Sequence, residues 1–100
     1  AWSGDRNPDA SGKLPPVGNT VNLEDASFEN TIGDAQLMTV WTDPDFDPEQ
    51  ASFYYVRVLE IPSPTWVLYE KDKNNIEDLP SEAPLAQQER AWSSPIWYTP

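Results

Sequence analysis

The run of residues 52–61, Ser-Phe-Tyr-Tyr-Val-Arg-Val-Leu-Glu-Ile, constrains the fold of this chain more than any other part of its sequence. Aromatic and β-branched residues dominate the run, which is typical of a β-strand. Period-two alternation divides a strand into two faces. The face that we interpret as pointing to the core consists of Tyr54, Val56, Val58 and Glu60. The other face consists of Phe53, Tyr55, Arg57, Leu59 and Ile61.

Three further runs predict strands, near residues 27–32, 35–42 and 90–98. Residues 35–42 are apolar, partly β-branched and too short for a typical helix. Pro95 lacks the N–H that a ladder needs, so the last run is predicted to be an edge strand or to contain a bulge. Alternation places one set of its side chains together, namely Trp92, Ser94, Ile96 and Tyr98. The opposite set is Ala91, Ser93, Pro95 and Trp97.

One short helix is predicted near residues 64–73, after the Pro-Ser-Pro sequence that ends the first strand. Ser63 is a suitable N-cap, and Pro64 is a suitable first helical residue. Residues 65–69, Thr-Trp-Val-Leu-Tyr, also fit a strand, and the sequence leaves this alternative open.

Long loops are predicted on both sides of these elements. Residues 3–20 are dense in Gly, Pro, Asn and Asp, and the long connection 72–89 is polar and interrupted by two prolines. Phe46, inside an acidic connection that contains two further prolines, is expected to fold back onto the core. Together these patterns predict one mostly β domain, or a fragment of one, over residues 1–100.

Composition limits how such a domain is stabilised and what it binds. Only 38% of the residues are apolar, against about 45–50% in typical chains, so the aromatic residues, five of them Trp, must carry much of the burial. Six Lys and Arg against 17 Asp and Glu give a net charge of −11. This charge repels phosphate backbones, and no run approaches the roughly 20 apolar residues of a membrane helix. We therefore expect neither nucleic acid binding nor membrane insertion.

The chain contains no Cys and no His. Disulfides, thiolate metal sites and imidazole acid–base chemistry are therefore excluded from this chain. The spacing of its glutamates selects no catalytic carboxylate pair among Glu60, Glu70, Glu77 and Glu82. Ser93 and Ser94 lack a His partner, so we interpret them as ordinary strand residues. We expect no catalytic residue and no cofactor site in this chain.

Asp43, Asp45 and Asp47 form a D-x-D-x-D sequence, which resembles the start of a calcium-binding loop. The rest of that motif is missing, because Pro48 occupies the position of the turn glycine and Tyr54 that of the bidentate Glu. Acidic residues in a turn between two strands are the commoner explanation of such a sequence. The three aspartates are therefore kept only as a candidate calcium site.

Four aromatic residues are candidates for an interface or a ligand site, namely Trp66, Tyr69, Trp92 and Trp97. One interpretation buries most of the chain's rings in the core or against another part of a larger protein, since aromatic residues contribute the largest burial per residue. The alternative interpretation is a platform on which exposed rings stack against sugars. An exposed Trp patch would weigh against the core interpretation.

Several stretches together resemble the C-terminal part of the bacterial domain-of-unknown-function family DUF3604. The resemblance is carried by residues 1–6, 15–20, 43–48, 53–62 and 88–100, and it runs along essentially the whole chain. Longer members of that family look like PHP-type metal-dependent phosphoesterases. Endings that read Tyr-x-Arg-Val and then Ala-Trp-Ser-Ser-Pro-Ile-Trp look like the last two strands of a fibronectin-like sandwich appended to such hydrolases.

The resemblance implies a fibronectin- or immunoglobulin-like sandwich, or part of one. It implies a C-terminal accessory module without enzyme activity, which packs against or assembles with the upstream, hydrolase-like portion of the same polypeptide. Any divalent metal would belong to that upstream portion. Self-association is a further candidate, and a carbohydrate or small-ligand binding module is the alternative function. A periplasmic or extracellular location is compatible with the family.

Overall fold

The computed structural model describes residues 1–100, and all of its regular secondary structure lies in the second half of the chain. The six strands are β1 Ser52–Tyr54, β2 Arg57–Leu59, β3 Ser63–Pro64, β4 Ala86–Gln87, β5 Arg90–Trp92 and β6 Ile96–Tyr98. A single helix, α1, spans Trp66–Asn74. The strands pair as three two-stranded antiparallel sheets, β1–β6, β2–β5 and β3–β4. The regular structure is therefore mostly β with one short helix, as predicted.

The three sheets follow one another along one long antiparallel hairpin, which we call the ribbon. It consists of residues 52–64 paired with residues 86–98, and its connection contains α1. The ladders place Phe53 opposite Trp97, Val58 opposite Ala91 and Ser63 opposite Gln87. Each of the two predicted long strands is thus present, but in short pieces.

Two bulges interrupt the ribbon, one on each strand. The second bulge restores the register that the first one shifts. Residues 93–95 oppose only two residues of the other strand, and residues 60–62 likewise oppose only two. An extra residue on one strand is a β-bulge, which breaks the ladder locally and increases the twist. Each bulge contains a proline, Pro95 or Pro62, which has no N–H to donate. The bulge predicted at Pro95 is confirmed.

The predicted helix is confirmed, whereas its predicted N-cap is wrong. Thr65, not Ser63, caps α1: its hydroxyl accepts a hydrogen bond from the Leu68 N–H at 3.4 Å and donates one to the Pro84 carbonyl at 2.7 Å. Ser63 and Pro64 instead form β3, because their partners across the ribbon are available. Their partner strand β4 lies near the end of the long connection predicted over residues 72–89.

The N-terminal half contains turns and irregular chain but no strand or helix. Residues 3–20, predicted to be a loop, contain only turns and irregular chain, and the strands predicted near residues 27–32 and 35–42 have no ladder partner. Local bonds compete there with pairing, since the Asp25 carboxylate accepts from the Ser27 N–H at 3.0 Å and the Asp34 carboxylate from the Gln36 N–H at 3.0 Å. Such side-chain-to-backbone bonds favour turns over ladders.

No packed core forms. Only five of the 100 residues are buried, namely Ser3, Ala26, Pro64, Thr65 and Leu68. The radius of gyration is 18.8 Å, against about 13 Å for a compact domain of this length. The predicted core face of the first strand is wrong, because Val56 and Val58 are more than half exposed. The sheets are small and open, with two strands each, so the sandwich implied by the resemblance is not confirmed.

The hydrogen-bond inventory is correspondingly small. The chain makes 25 backbone–backbone hydrogen bonds, whereas a compact domain of this length makes about 65–75. The remaining backbone groups bond to side chains, as the Ser27 and Gln36 N–H groups do, or are left to solvent or to another surface. No helix of the chain has the length and apolarity needed to cross a membrane.

Candidate functional site

One side of the ribbon is aromatic and uncovered. The ring of Phe53 lies 5.3 Å from that of Trp97, its cross-strand partner, and 6.3 Å from that of Tyr55 at an interplanar angle of only 15°. In the next ladder Arg57 is opposite Trp92, and Leu59 is opposite Arg90. We call this set the aromatic face: Phe53, Tyr55, Arg57, Leu59, Arg90, Trp92 and Trp97.

The bulge at residues 93–95 brings the two tryptophans of this face to one side. Trp92 and Trp97 are five residues apart, and uninterrupted alternation predicts opposite sides. Their partners Arg57 and Phe53 are four residues apart, however, and therefore share a face. The predicted grouping of Trp92 with Ile96 is wrong for this reason. The Ser93 hydroxyl supports the bulge by accepting from the Val56 N–H at 2.9 Å.

The charge of the aromatic face differs from that of the chain as a whole. The chain has a net charge of −11, yet the face contains two of its six basic residues, Arg57 and Arg90, and no acidic one. All seven side chains are exposed, and Trp97 retains 69% of its accessible surface. Aromatic residues and Arg are enriched, and Asp and Glu depleted, in the buried centres of protein interfaces.

The opposite side of the ribbon is partly covered by the segment that precedes β1. Trp41 lies 6.2 Å from the ring of Tyr54, and Phe46 meets the ring of Tyr98 edge-on at 5.0 Å. The Tyr98 hydroxyl donates a hydrogen bond to the Pro48 carbonyl at 2.9 Å. Phe46 thus folds back, as predicted, but onto the ribbon and not into a core. The aromatic face has no such cover.

A hydrogen bond between side chains fixes this cover at its centre. The Tyr54 hydroxyl donates to the Asp43 carboxylate at 2.8 Å. This hydrogen bond, with smaller contributions from desolvation and from the charge of Asp43, raises the pKa of Tyr54 above its ordinary value of 10.0. The contact holds the acidic connection against the ribbon.

The structure brings together two of the four aromatic residues that the sequence singled out. Trp92 and Trp97 both belong to the aromatic face, whereas Trp66 and Tyr69 lie on α1, at the other end of the ribbon. All four are exposed, so the internal-core interpretation of these rings is wrong. The other five residues of the face were not predicted as site residues, namely Phe53, Tyr55, Arg57, Leu59 and Arg90. Alternation had already grouped the first four, but the core was assigned to the opposite face.

The candidate calcium residues are engaged in turns. The Asp43 carboxylate accepts from the Asp45 N–H at 3.0 Å, and the Asp47 carboxylate accepts from the Glu49 N–H at 2.9 Å. No group of three or more acidic residues is arranged to hold a metal ion. The arrangement supports the turn interpretation of these aspartates.

Two open hollows elsewhere in the surface offer no convergent chemistry. One lies beside the C-terminal end of α1, and the other lies next to Ser3 and Arg6. The Arg6 guanidinium already donates to the carbonyls of Ser3 at 3.1 Å and Pro15 at 2.9 Å, so it serves the loop itself. The aromatic face is therefore the candidate functional site.

Comparison with known proteins yields one finding. No curated protein and no solved structure gives a significant match to the chain. A family described as "Protein of unknown function (DUF3604)" matches residues 1–100, which is the whole length of the sequence. The chain therefore belongs to the DUF3604 family of proteins of unknown function.

Proposed function

We propose that this chain is a non-catalytic accessory module of a larger polypeptide and that its aromatic face packs against the upstream portion of that polypeptide. The role is structural: the module covers and stabilises a surface of the upstream body. A fibronectin- or immunoglobulin-like sandwich completed by upstream strands is the architecture that fits this role.

The observation that carries the proposal is the amount of surface left open. The accessible surface is 8433 Å², whereas a compact protein of 11.3 kDa exposes about 5,700 Å². The excess of roughly 2,700 Å² is more than the share of one partner, about 800 Å², in a standard interface. An excess of this size is typical of a chain that completes its fold against a permanent partner.

The composition of the aromatic face supports a protein surface as the partner. Trp, Tyr and Arg are the residues that most often dominate binding energy when they are desolvated. Arg57 and Arg90 offer planar donors to carboxylates or carbonyls of the partner, and the aromatic rings offer large rigid area.

The resemblance to longer DUF3604 members suggests what the upstream body is. We infer a PHP-type, metal-dependent phosphoesterase-like body of bacterial origin, whose divalent metal is held outside this chain. A periplasmic or extracellular location agrees with the same resemblance. Hydrolysis of a phosphoester panel by the full-length polypeptide with added Mn²⁺ or Zn²⁺ tests the activity, and inactivity across the panel would remove the phosphoesterase inference.

Hydroxyl-radical footprinting of the full-length polypeptide tests the packing. We expect Trp92 and Trp97 to be protected there and to react fast once the polypeptide is unfolded. Trp97→Ala is expected to lower the stability of the module by about 2–4 kcal/mol, because it removes a ring from a desolvated site.

Ile96→Ala is the matched control. Ile96 precedes Trp97, is similarly exposed at 73% and lies on the other side of the ribbon. We expect its truncation to change stability by at most about 0.5 kcal/mol, as at ordinary surface sites. Fast labelling of both tryptophans in the native full-length polypeptide, with equally small effects of both substitutions, would overturn the packing proposal.

A carbohydrate-binding module is the second candidate, and the near-parallel rings of Phe53 and Tyr55 favour it. Exposed, near-parallel rings provide apolar area for the face of a sugar. Tryptophan fluorescence of the full-length polypeptide, titrated with a panel of glycans, separates the two candidates. Saturable quenching that Trp97→Ala abolishes would support the binding module, and a silent panel would remove it.

A further inference from the structure

A second surface lies in residues 37–42, Leu-Met-Thr-Val-Trp-Thr, which we call the open segment. Met38 and Val40 retain 85% and 94% of their accessible surface, and Trp41 retains 66%. The segment carries no charged residue in a chain of which 23% of the residues are charged. Alternate residues of an extended chain point to opposite sides, so apolar groups lie on both sides here. Strands with two apolar sides are typical of positions covered on both faces.

The backbone of the open segment has no partner in the chain. None of its six N–H groups and none of its six carbonyl groups forms a hydrogen bond with another residue. Backbone groups flanked by apolar side chains are costly to bury without hydrogen bonds. Covering the apolar side chains therefore requires a partner that also supplies backbone donors and acceptors.

Contacts at both ends fix the path of the open segment. Before it, Gly33 packs so closely on Ile61 that an added Cβ would lie 2.5 Å from Ile61 Cγ2. At its end, Trp41 and Asp43 contact Tyr54. Ile61 and Tyr54 are about 20–25 Å apart along their strand. The ten residues from Gly33 to Asp43 cover this distance at about 2.0–2.5 Å each. This rise exceeds the 1.5 Å of a helix, so the segment is held extended.

We propose that the open segment adds as a β-strand to an exposed sheet edge in the upstream portion of the same polypeptide. The inference rests on the packing proposed above and names a second contact within it. Strand addition pairs the free backbone groups of residues 37–42 that point to the sheet edge, and the partner's side chains cover Met38, Val40 and Trp41. The anchored ends reduce the entropy lost on pairing.

Charge distinguishes this partner from a second copy of the chain. Asp34 and Asp43 flank the open segment, and each copy carries a net charge of −11. Pairing of two copies in either direction places these carboxylates close together, and like charges opposite each other in a ladder are destabilising. The proposed occupant is therefore a sheet edge of the upstream body with neutral or basic flanks, which avoids this cost, and not a second copy.

Hydrogen exchange of the native full-length polypeptide tests strand addition directly. We expect alternate amides of residues 37–42 to exchange about 100-fold or more slowly than in an unstructured chain. Single proline substitutions at Met38, Thr39 and Val40 remove one N–H each. We expect at least one to abolish the protection, because its N–H donates to the partner strand. Alanine at the same position is the matched control, since it keeps the N–H.

The outcomes separate this inference from the packing proposal. Fast exchange of residues 37–42, with Trp92 and Trp97 still protected in footprinting, would overturn strand addition and leave the packing of the aromatic face standing. Protection that survives all three prolines would overturn it as well. Protection that is lost on dilution would assign the segment to a second copy and overturn the upstream partner.

Discussion

Gly33 connects the N-terminal half to the ribbon through its missing side chain. Its φ of +83° is unfavourable for other residues, and Ile61 occupies the space of a Cβ. We expect Gly33→Ala to cost about 1–3 kcal/mol from overpacking beyond its backbone strain. Gly12→Ala is the control, because Gly12 has a similar φ of +79° and open space around it. Hydrogen exchange of ribbon amides in urea measures both, and equal effects would contradict the contact.

Tyr54 makes the cover of the ribbon sensitive to high pH. Its folded-state pKa is raised, because the neutral hydroxyl donates to Asp43. The contribution of this contact is therefore complete below the ordinary pKa of 10.0 and is lost as the pH rises through the raised value. In a phenolate absorbance titration we expect Tyr54→Phe to remove a step that lies above the ordinary value of 10.0.

Asp43→Asn serves as the control for that titration. It removes the carboxylate acceptor and its charge, so the pKa of Tyr54 should return toward its ordinary value. If the unsubstituted protein and Tyr54→Phe titrate identically at high pH, the assignment of a raised pKa to Tyr54 is contradicted.

Among the elements, the bulge at residues 93–95 depends on one hydroxyl. Ser93 Oγ accepts from the Val56 N–H at 2.9 Å and donates to the Ser94 carbonyl at 3.0 Å. We expect Ser93→Ala to cost about 0.5–1.5 kcal/mol and to speed exchange of the Val56 amide. Ser94→Ala should leave the exchange of that amide unchanged, because the Ser94 hydroxyl has no partner within the chain. Equal exchange in both variants would count against this role of Ser93.

The start of α1 depends on Thr65, which joins the helix to the end of the long connection. Its hydroxyl serves both the Leu68 N–H and the Pro84 carbonyl. Thr65→Ala is expected to cost about 1–2 kcal/mol, since N-cap loss alone is of this order. Thr65→Ser keeps the hydroxyl and should retain most of the stability. The measure is exchange of the Leu68 and Tyr69 amides, and a serine variant as unstable as alanine would argue against the cap.

At the scale of the whole molecule, the open surface predicts dependence on a partner. Five buried residues in 100 are too few to offset the conformational entropy of folding. We expect isolated residues 1–100 to unfold without a cooperative transition and to bind hydrophobic dyes. The same residues within the full-length polypeptide should unfold cooperatively. A sharp thermal transition of the isolated, monomeric chain would contradict this prediction.

The sequence by itself determined the local features of this protein. The aromatic run 52–61, the final run 90–98, the short helix and the loop over residues 3–20 follow from β-propensity, proline positions and capping chemistry, which act over a few residues. The resemblance to DUF3604 likewise rested on short stretches of sequence, and the family match confirmed it. The absence of Cys and His limited the chemistry in the same direct way.

Only the tertiary structure decided which residues form the site and which remain open. One extra residue between β5 and β6 brings Trp92 and Trp97 to one side. Alternation along a single strand cannot reveal how that strand is registered with its partner. Propensity predicted a strand near residues 35–42, but a strand also needs a neighbour, and this chain supplies none. Burial depends on surfaces distant in sequence, so the core expected at Val56 and Val58 became an exposed surface.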